Sequence, residues 1–254
     1  MARCAFCHRV AKLSGEHIWS DWINGLLGRR KYEFKTSAED GTILRRWTSE
    51  ELNWKAKVVC ESCNNGWMSD LENDHAKPIL SGIISGRPVS VLPLGIASLG
   101  AVGFKTAIIA DHMSGRAPFF VESVRSAFRK SLRIPSNVQM WLAAFHEPKH
   151  RDGILRSYYV NVRHPRYGHF QYFVLTYGLM PFLIQVVSRK WIAPSAVVPK
   201  RAPVPRVIQN DFWNDIPQYW PPDGKPVAWP PEKYLGRDML KTFTDRWTEL
   251  RSDV

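Results

Sequence analysis

Two C-x-x-C pairs constrain this chain more than any other feature. Cys4-Ala5-Phe6-Cys7 and Cys60-Glu61-Ser62-Cys63 contain all four of its cysteines. Paired knuckles of this spacing are the usual way to hold one tetrahedral zinc with four thiolates. Disulfides would suit an oxidising compartment, but Met1-Ala2-Arg3-Cys4 has no apolar signal-peptide core. The expected setting is therefore cytoplasmic, with reduced thiols and a structural Zn²⁺ on Cys4, Cys7, Cys60 and Cys63. His8 completes a C-x-x-C-H string, the pattern of covalent haem attachment. That chemistry needs export, and the second knuckle already supplies a partner for the first. The knuckles enclose residues 8 to 59, a span of 52 residues, which is too long to order without a staple at its base.

Inside that span, Ser14-Gly15-Glu16-His17 ends a predicted strand with an acid beside a histidine. Ile18, Trp22, Ile23, Leu26 and Leu27 then recur at helical spacing, and Gly28 suits a helix stop. Residues 31–35, 42–47 and 54–60 read as strands, with Glu39-Asp40-Gly41 as the turn between the first two. From Gly66, the residues Trp67, Met68, Leu71 and His75 mark a helix that Pro78 ends or kinks. The order is hairpin, knuckle, helix. A histidine near its ordinary pKa can act as general base, and a divalent cation can neutralise charge on a phosphodiester. Neighbouring residues on a regular strand face opposite ways, so Glu16 and His17 share a target only if the backbone bends there.

The rest of the chain is ordinary globular material, 44% hydrophobic and 23% charged. No run of 18 apolar residues stands out, which argues against a membrane span. The net charge is +12, and its placement matters more than its size. Residues 1–78 hold 12 Lys/Arg against 11 Asp/Glu, residues 79–206 hold 17 against 4, and residues 207–254 hold 6 against 8. The basic excess therefore lies in the middle, which makes it the expected nucleic-acid platform. There, residues 92–113 and 119–132 read as helices, and 138–145, 157–162, 169–175 and 182–187 as strands of an antiparallel meander. On the second helix Arg125, Arg129, Lys130 and Arg133 form a candidate phosphate-facing stripe. The aromatic set Tyr158, Tyr159, Phe170, Tyr172 and Phe173 suits a sheet core better than a stacking surface for bases. Residues 197–205 read as a Pro-rich basic linker. The tail places Trp213, Trp220 and Trp229 among prolines, the pattern of an irregular wrap, before a last helix over 238–251.

The knuckles, the acid-histidine pair between them, and Asn64 directly after the fourth cysteine together resemble the HNH, or ββα-metal, endonuclease superfamily. The form is the zinc-knuckle one, similar to recombination endonuclease VII. The likeness covers residues 4 to 78, with Glu16 where that family usually has Asp. More broadly, Cys63-Asn64-Asn65-Gly66-Trp67-Met68 resembles a signature of uncharacterised bacterial and phage HNH-like proteins. The resemblance implies a zinc-stapled ββα-metal module over residues 1–78; with the basic α+β domain of helices and antiparallel meander read over 79–206 and the wrapping tail over 207–254, the expected fold is α+β. It also implies a metal-dependent endonuclease acting on DNA. In it His17 is the general base, and Glu16 with Asn64 holds one Mg²⁺ or Mn²⁺. The competing reading is a catalytically inactive, zinc-stabilised nucleic-acid-binding or adaptor protein, and RNA stays open as the polymer.

Overall fold

In the computed structural model the described residues are 2–28, 31–37, 42–145, 153–164, 168–179, 182–194, 216–236 and 238–248. The expected linker over 197–205, the turn at 39–41, Trp213 and residues 249–251 of the last helix lie outside them.

The chain opens with a small hairpin, β1 (Ala2–Arg3) and β2 (Val10–Ala11), whose turn carries Cys4 and Cys7. Next, β3 (Leu13–His17) pairs antiparallel with β6 (Lys55–Cys60), which brings Leu13 opposite Cys60 and His17 opposite Lys55. The register shifts between Ser14 and Glu16, so the backbone irregularity sits beside the acid-histidine pair. The extra residue lies on β6, where Lys57 and Val58 stand opposite Gly15 alone, so Glu16 and His17 keep the opposite facing of strand neighbours. Between these strands lie a short helix, α1 (Trp22–Leu27), and a second ribbon, β4 (Tyr32–Ser37) with β5 (Ile43–Ser49). The expected helix starts later than Ile18 because the Ile18 amide still bonds to the Trp54 carbonyl and extends the β3–β6 ribbon. Phe34 and Trp47 stack with ring centroids 5.1 Å apart, and Trp54 meets Trp47 edge-on at 5.5 Å. Such aromatic pairing contributes beyond plain area burial.

Residues 61–84 are helical almost throughout, in pieces: α2 (Glu61–Cys63), two π-helical stretches (Asn64–Met68 and Leu71–Ala76), and α3 (Lys77–Ile84). Pro78 starts α3 instead of ending the helix, because proline fits the first turn, where its missing N–H has no partner to lose. A short strand, β7 (Val89–Val91), leads to α4 (Pro93–Met113). This helix is as long and apolar as a membrane span, but here most of it is buried inside the protein. Apolar residues surround it because it is packed on every side, with Ile96, Leu99, Phe104 and Ile108 in the core. Its glycines permit close approach: a Cβ on Gly100 would meet the Trp220 ring at 2.8 Å, and one on Gly103 the Met140 sulfur at 3.0 Å.

Helix α5 (Glu122–Ser131) is shorter than expected. Phe119 and Phe120 stay outside it because their amides donate to the two Asp111 carboxylate oxygens, each at 3.1 Å. Three long strands and two short ones then make one antiparallel sheet. They are β8 (Val138–Ala144), β9 (Gly153–His164), β10 (Gly168–Leu179), β11 (Phe182–Pro194) and β12 (Gln218–Trp220), in the spatial order β12-β8-β11-β10-β9. The inner strand β10, between β11 and β9, shows period-2 sorting. Phe173, Leu175, Tyr177 and Leu179 join the main core with α4, while Tyr172 and Val174 pack with Trp247 on the other face. Four of the five flagged aromatics, Tyr158, Phe170, Tyr172 and Phe173, are buried in this sheet. The tail is more regular than expected. β12 adds to the sheet edge, and β13 (Val227–Trp229) pairs with β7. Both are held to three residues by prolines that follow directly and cannot donate to a ladder. A last helix, α6 (Met239–Asp245), covers the far face. It is anchored by buried Gln185, whose Oε1 accepts from Arg246 Nε at 2.7 Å and Trp247 Nε1 at 2.9 Å. The fold is mixed α and β with antiparallel sheets. Its main core runs from Cys4 to Trp229 and so includes residues from all three expected segments.

Candidate functional site

The four cysteine sulfurs gather although the two pairs are far apart in sequence. All four Sγ atoms lie within 4.8 Å of one another, and Cys7 Sγ is 3.6 Å from Cys60 Sγ. A ZnS₄ tetrahedron with bonds of about 2.3 Å separates its sulfurs by about 3.8 Å, so the donor set fits zinc. Cys4, Cys60 and Cys63 are buried and Cys7 half-buried. Thiols this close cannot all ionise unless a cation sits among them. Burial and the nearby Cys4 push the Cys63 thiol up to about 12. Burial also opposes ionisation at Cys60, but the Ser62 hydroxyl, the Cys63 amide and the neighbouring thiols outweigh it and bring Cys60 down to about 6.

The β3–β6 ribbon and the helix that follows the second knuckle carry the predicted chemical residues. Asn64, at the start of the first π-helical stretch, donates its side-chain amide to Ser14 Oγ at 3.1 Å and to the Gly15 carbonyl at 3.4 Å. It therefore joins the helix to β3 where that strand faces the bulge of β6. The helix is kinked just beyond Asn64, at Gly66, whose backbone angles are not helical. His17 closes β3 with its side chain 25% exposed and its Nε2 3.9 Å from Asp21 Oδ1. Burial first, then the Lys55 ammonium, lowers the His17 pKa below its ordinary value, so the ring is neutral at pH 7 and can accept a proton. Lys55 lies directly across the ribbon, and its stem covers Gly15 closely enough that a Cβ there would meet Lys55 Cδ at 3.1 Å.

Glu16 points the other way. It is 3% exposed, and its Oε1 accepts from Lys105 Nζ at 2.5 Å. The same ammonium donates to Glu72 Oε1, from the second π-helical stretch. Burial raises the Glu16 pKa despite the lysine beside it. Burial also opposes the charge on Lys105, but Glu16 and Glu72 outweigh it and hold the lysine protonated. The expected pair of cation ligands is thus divided: the Asn64 amide faces Ser14 and Gly15, while the Glu16 carboxylate is taken by Lys105. Sequence reasoning missed Lys55, Glu72 and Lys105. Lys55 was within reach, since it opens the strand that must pair with the one bearing His17.

The expected basic stripe needs correction. Arg125 is buried: its Nε donates to the Phe120 carbonyl at 2.9 Å, and its Nη1 donates to the Ala5 carbonyl and to His112 Nε2. It braces α5 and α4 against the first knuckle and does not face solvent. Arg129 is half-buried, leaving Lys130 and Arg133 as the exposed members. Elsewhere in the basic middle, Arg116, Tyr159, Asn161, Gln171 and Lys190 line an open cleft of about 490 Å³. Lys190 Nζ lies 4.5 Å from the centre of the Phe119 ring. If Lys130 and Arg133 contact phosphates, reversing both charges is expected to lower the slope of log K against log salt by about 2, roughly 1 per lost contact. Fluorescence anisotropy on a labelled duplex across a salt series measures that slope.

No family model, curated protein or solved structure matches this chain.

Proposed function

We propose that this protein is an HNH-type endonuclease that hydrolyses DNA phosphodiester bonds, with His17 as general base on a zinc-stapled ribbon-and-helix module. The observation that carries the reading is the ribbon end itself. A neutral, part-exposed imidazole ends β3 of a bulged ribbon, Asn64 docks from the helix that follows the fourth cysteine, and Lys55 stands opposite His17 across the ribbon. In the proposed step a water oxygen attacks phosphorus, His17 takes its proton, and the bond to the leaving oxygen breaks. Lys55 is the nearby cation that offsets charge on the phosphate. Zn²⁺ on the four cysteines would supply no chemistry, since four protein ligands leave no open position.

A catalytic Mg²⁺ or Mn²⁺ held by Glu16 and Asn64 does not fit this geometry, because Glu16 is buried against an ammonium. The same observation favours the second reading, a zinc-stabilised nucleic-acid-binding or adaptor protein without catalysis.

Nicking of supercoiled plasmid separates the two, with and without chelator and with branched DNA, single-stranded DNA and RNA as further substrates. His17→Ala is expected to lower cleavage by roughly 10²–10⁴-fold while leaving affinity largely intact. The wild-type rate should rise with pH and level off below about 6.5, the ordinary histidine value, because burial and Lys55 depress the ring's pKa. An unaffected His17→Ala variant would overturn the mechanism. Wild-type inactivity on every substrate would leave the binding reading.

A further inference from the structure

The β3–β6 ribbon and the helix after Cys63 face each other across two carboxylates, Glu16 and Glu72. Between them is the ammonium of Lys105, brought in from the middle of α4, 89 residues along the chain from Glu16 and 33 from Glu72. Lys105 is 1% exposed and donates to both carboxylates, which places a single positive charge among two negative ones inside the protein. A core that needed only to be filled would hold Met or Leu here and avoid desolvating three ionisable groups. Ion-binding chemistry accounts for the arrangement better. Two carboxylates from facing elements form a hard-oxygen donor pair that also suits a divalent cation with its waters. One such ion would neutralise them fully, where one lysine leaves a net negative charge.

We infer that Lys105 is a resident cation: its ammonium fills, from within the chain, the place between ribbon and helix that a divalent ion on Glu16 would need. The wild-type protein then takes no divalent cation on Glu16. Removing the ammonium turns Glu16 and Glu72 into a divalent-cation site. The inference rests on reading the ribbon and helix as the chemical site, but its test measures ion binding and not cleavage, so an inactive enzyme leaves it standing. It also assigns Lys105 a positioning role, because the buried ammonium cannot touch a nucleic acid.

The test is Mn²⁺ titrated into the full-length, zinc-loaded protein, with free Mn²⁺ read by electron paramagnetic resonance. Wild type and Glu16→Gln are expected to take up Mn²⁺ alike. Lys105→Ala should gain about one Mn²⁺ per chain, with affinity falling at least tenfold in the Lys105→Ala/Glu16→Gln double variant. A Mn²⁺ site in wild type that Glu16→Gln weakens tenfold would overturn the inference, since it would mean that the lysine yields to the ion. So would a Lys105→Ala protein that keeps its zinc and binds no Mn²⁺. If Lys105→Ala does not fold, the comparison of wild type with Glu16→Gln decides alone.

Discussion

Cys60→Ala is expected to reduce bound zinc from about one per chain to near zero and to unfold the ribbon-and-helix module. The magnitude follows from what the metal would hold. Cys60 ends β6 and precedes α2, so one sulfur ties the ribbon, the helix and the first knuckle together. Structural zinc in small domains contributes on the order of 10–16 kcal/mol of binding free energy at pH 7, more than the roughly 5–15 kcal/mol by which a whole domain is usually stable. The main core, which includes Cys4, Cys60 and Cys63, also contains Phe104, Phe128 and Phe173, so part of the sheet should survive the loss. The expected pattern is therefore selective. Hydrogen exchange should accelerate over residues 4–84 and remain slow in β10 and β11. Elemental analysis gives the zinc content, and a strong chelator applied to wild type should reproduce the exchange pattern. Wild type purified without chelator and free of zinc would remove the basis of the staple.

Lys105→Met is the second large effect, and its size depends on pH. Methionine is one heavy atom shorter but flexible and fills most of the space, so lost volume is a minor factor. What remains is two facing carboxylates without their cation. Breaking a buried ion pair by removing one partner typically costs about 3–5 kcal/mol. The Glu16 pKa is already raised by burial, and Lys105 is the main influence opposing that rise. Without the lysine it rises further above its unfolded value. A carboxyl group with a raised folded-state pKa binds more protons folded than unfolded. Stability therefore falls as pH climbs above the unfolded value of about 4.3 and levels off once the folded group has ionised. The deficit against wild type should thus be smaller at pH 5 than at pH 8. Urea denaturation at the two pH values measures it, and an equal deficit at both would mean that the carboxylates do not depend on Lys105. Pairing the variant with Glu16→Gln should recover part of the loss at pH 8.

What the sequence determined by itself was local chemistry and local period. Two C-x-x-C pairs carry their ligand spacing within four residues each, and the four sulfurs do converge. The apolar run of α4, the alternation along β8 to β11, and the acid-histidine pair at the end of a strand are likewise short-range patterns, and those elements appear where the periodicity puts them. Strand ends were less legible: β9, β10 and β11 run well past the expected limits, because a neighbour's ladder extends a strand through residues whose own preference is weak. Helix spacing put Arg125 in line with Arg129 and Arg133, but a four-residue repeat does not say which face meets the core, and Arg125 faces inward to the Ala5 carbonyl.

Only the tertiary structure decided where the charges of the candidate site meet. Within β3, Glu16 and His17 are neighbours that share a target only if the backbone bends, and strand alternation alone does not say what either one meets. Folding sends His17 toward Asp21 and Lys55, and Glu16 toward an ammonium on α4. Lys105 stands in an apolar helix where local pattern reading gives it no role. Its significance arises from desolvation: a lysine drawn into a core must find carboxylates there, and which ones it finds depends on elements that the sequence keeps far apart and the core brings together.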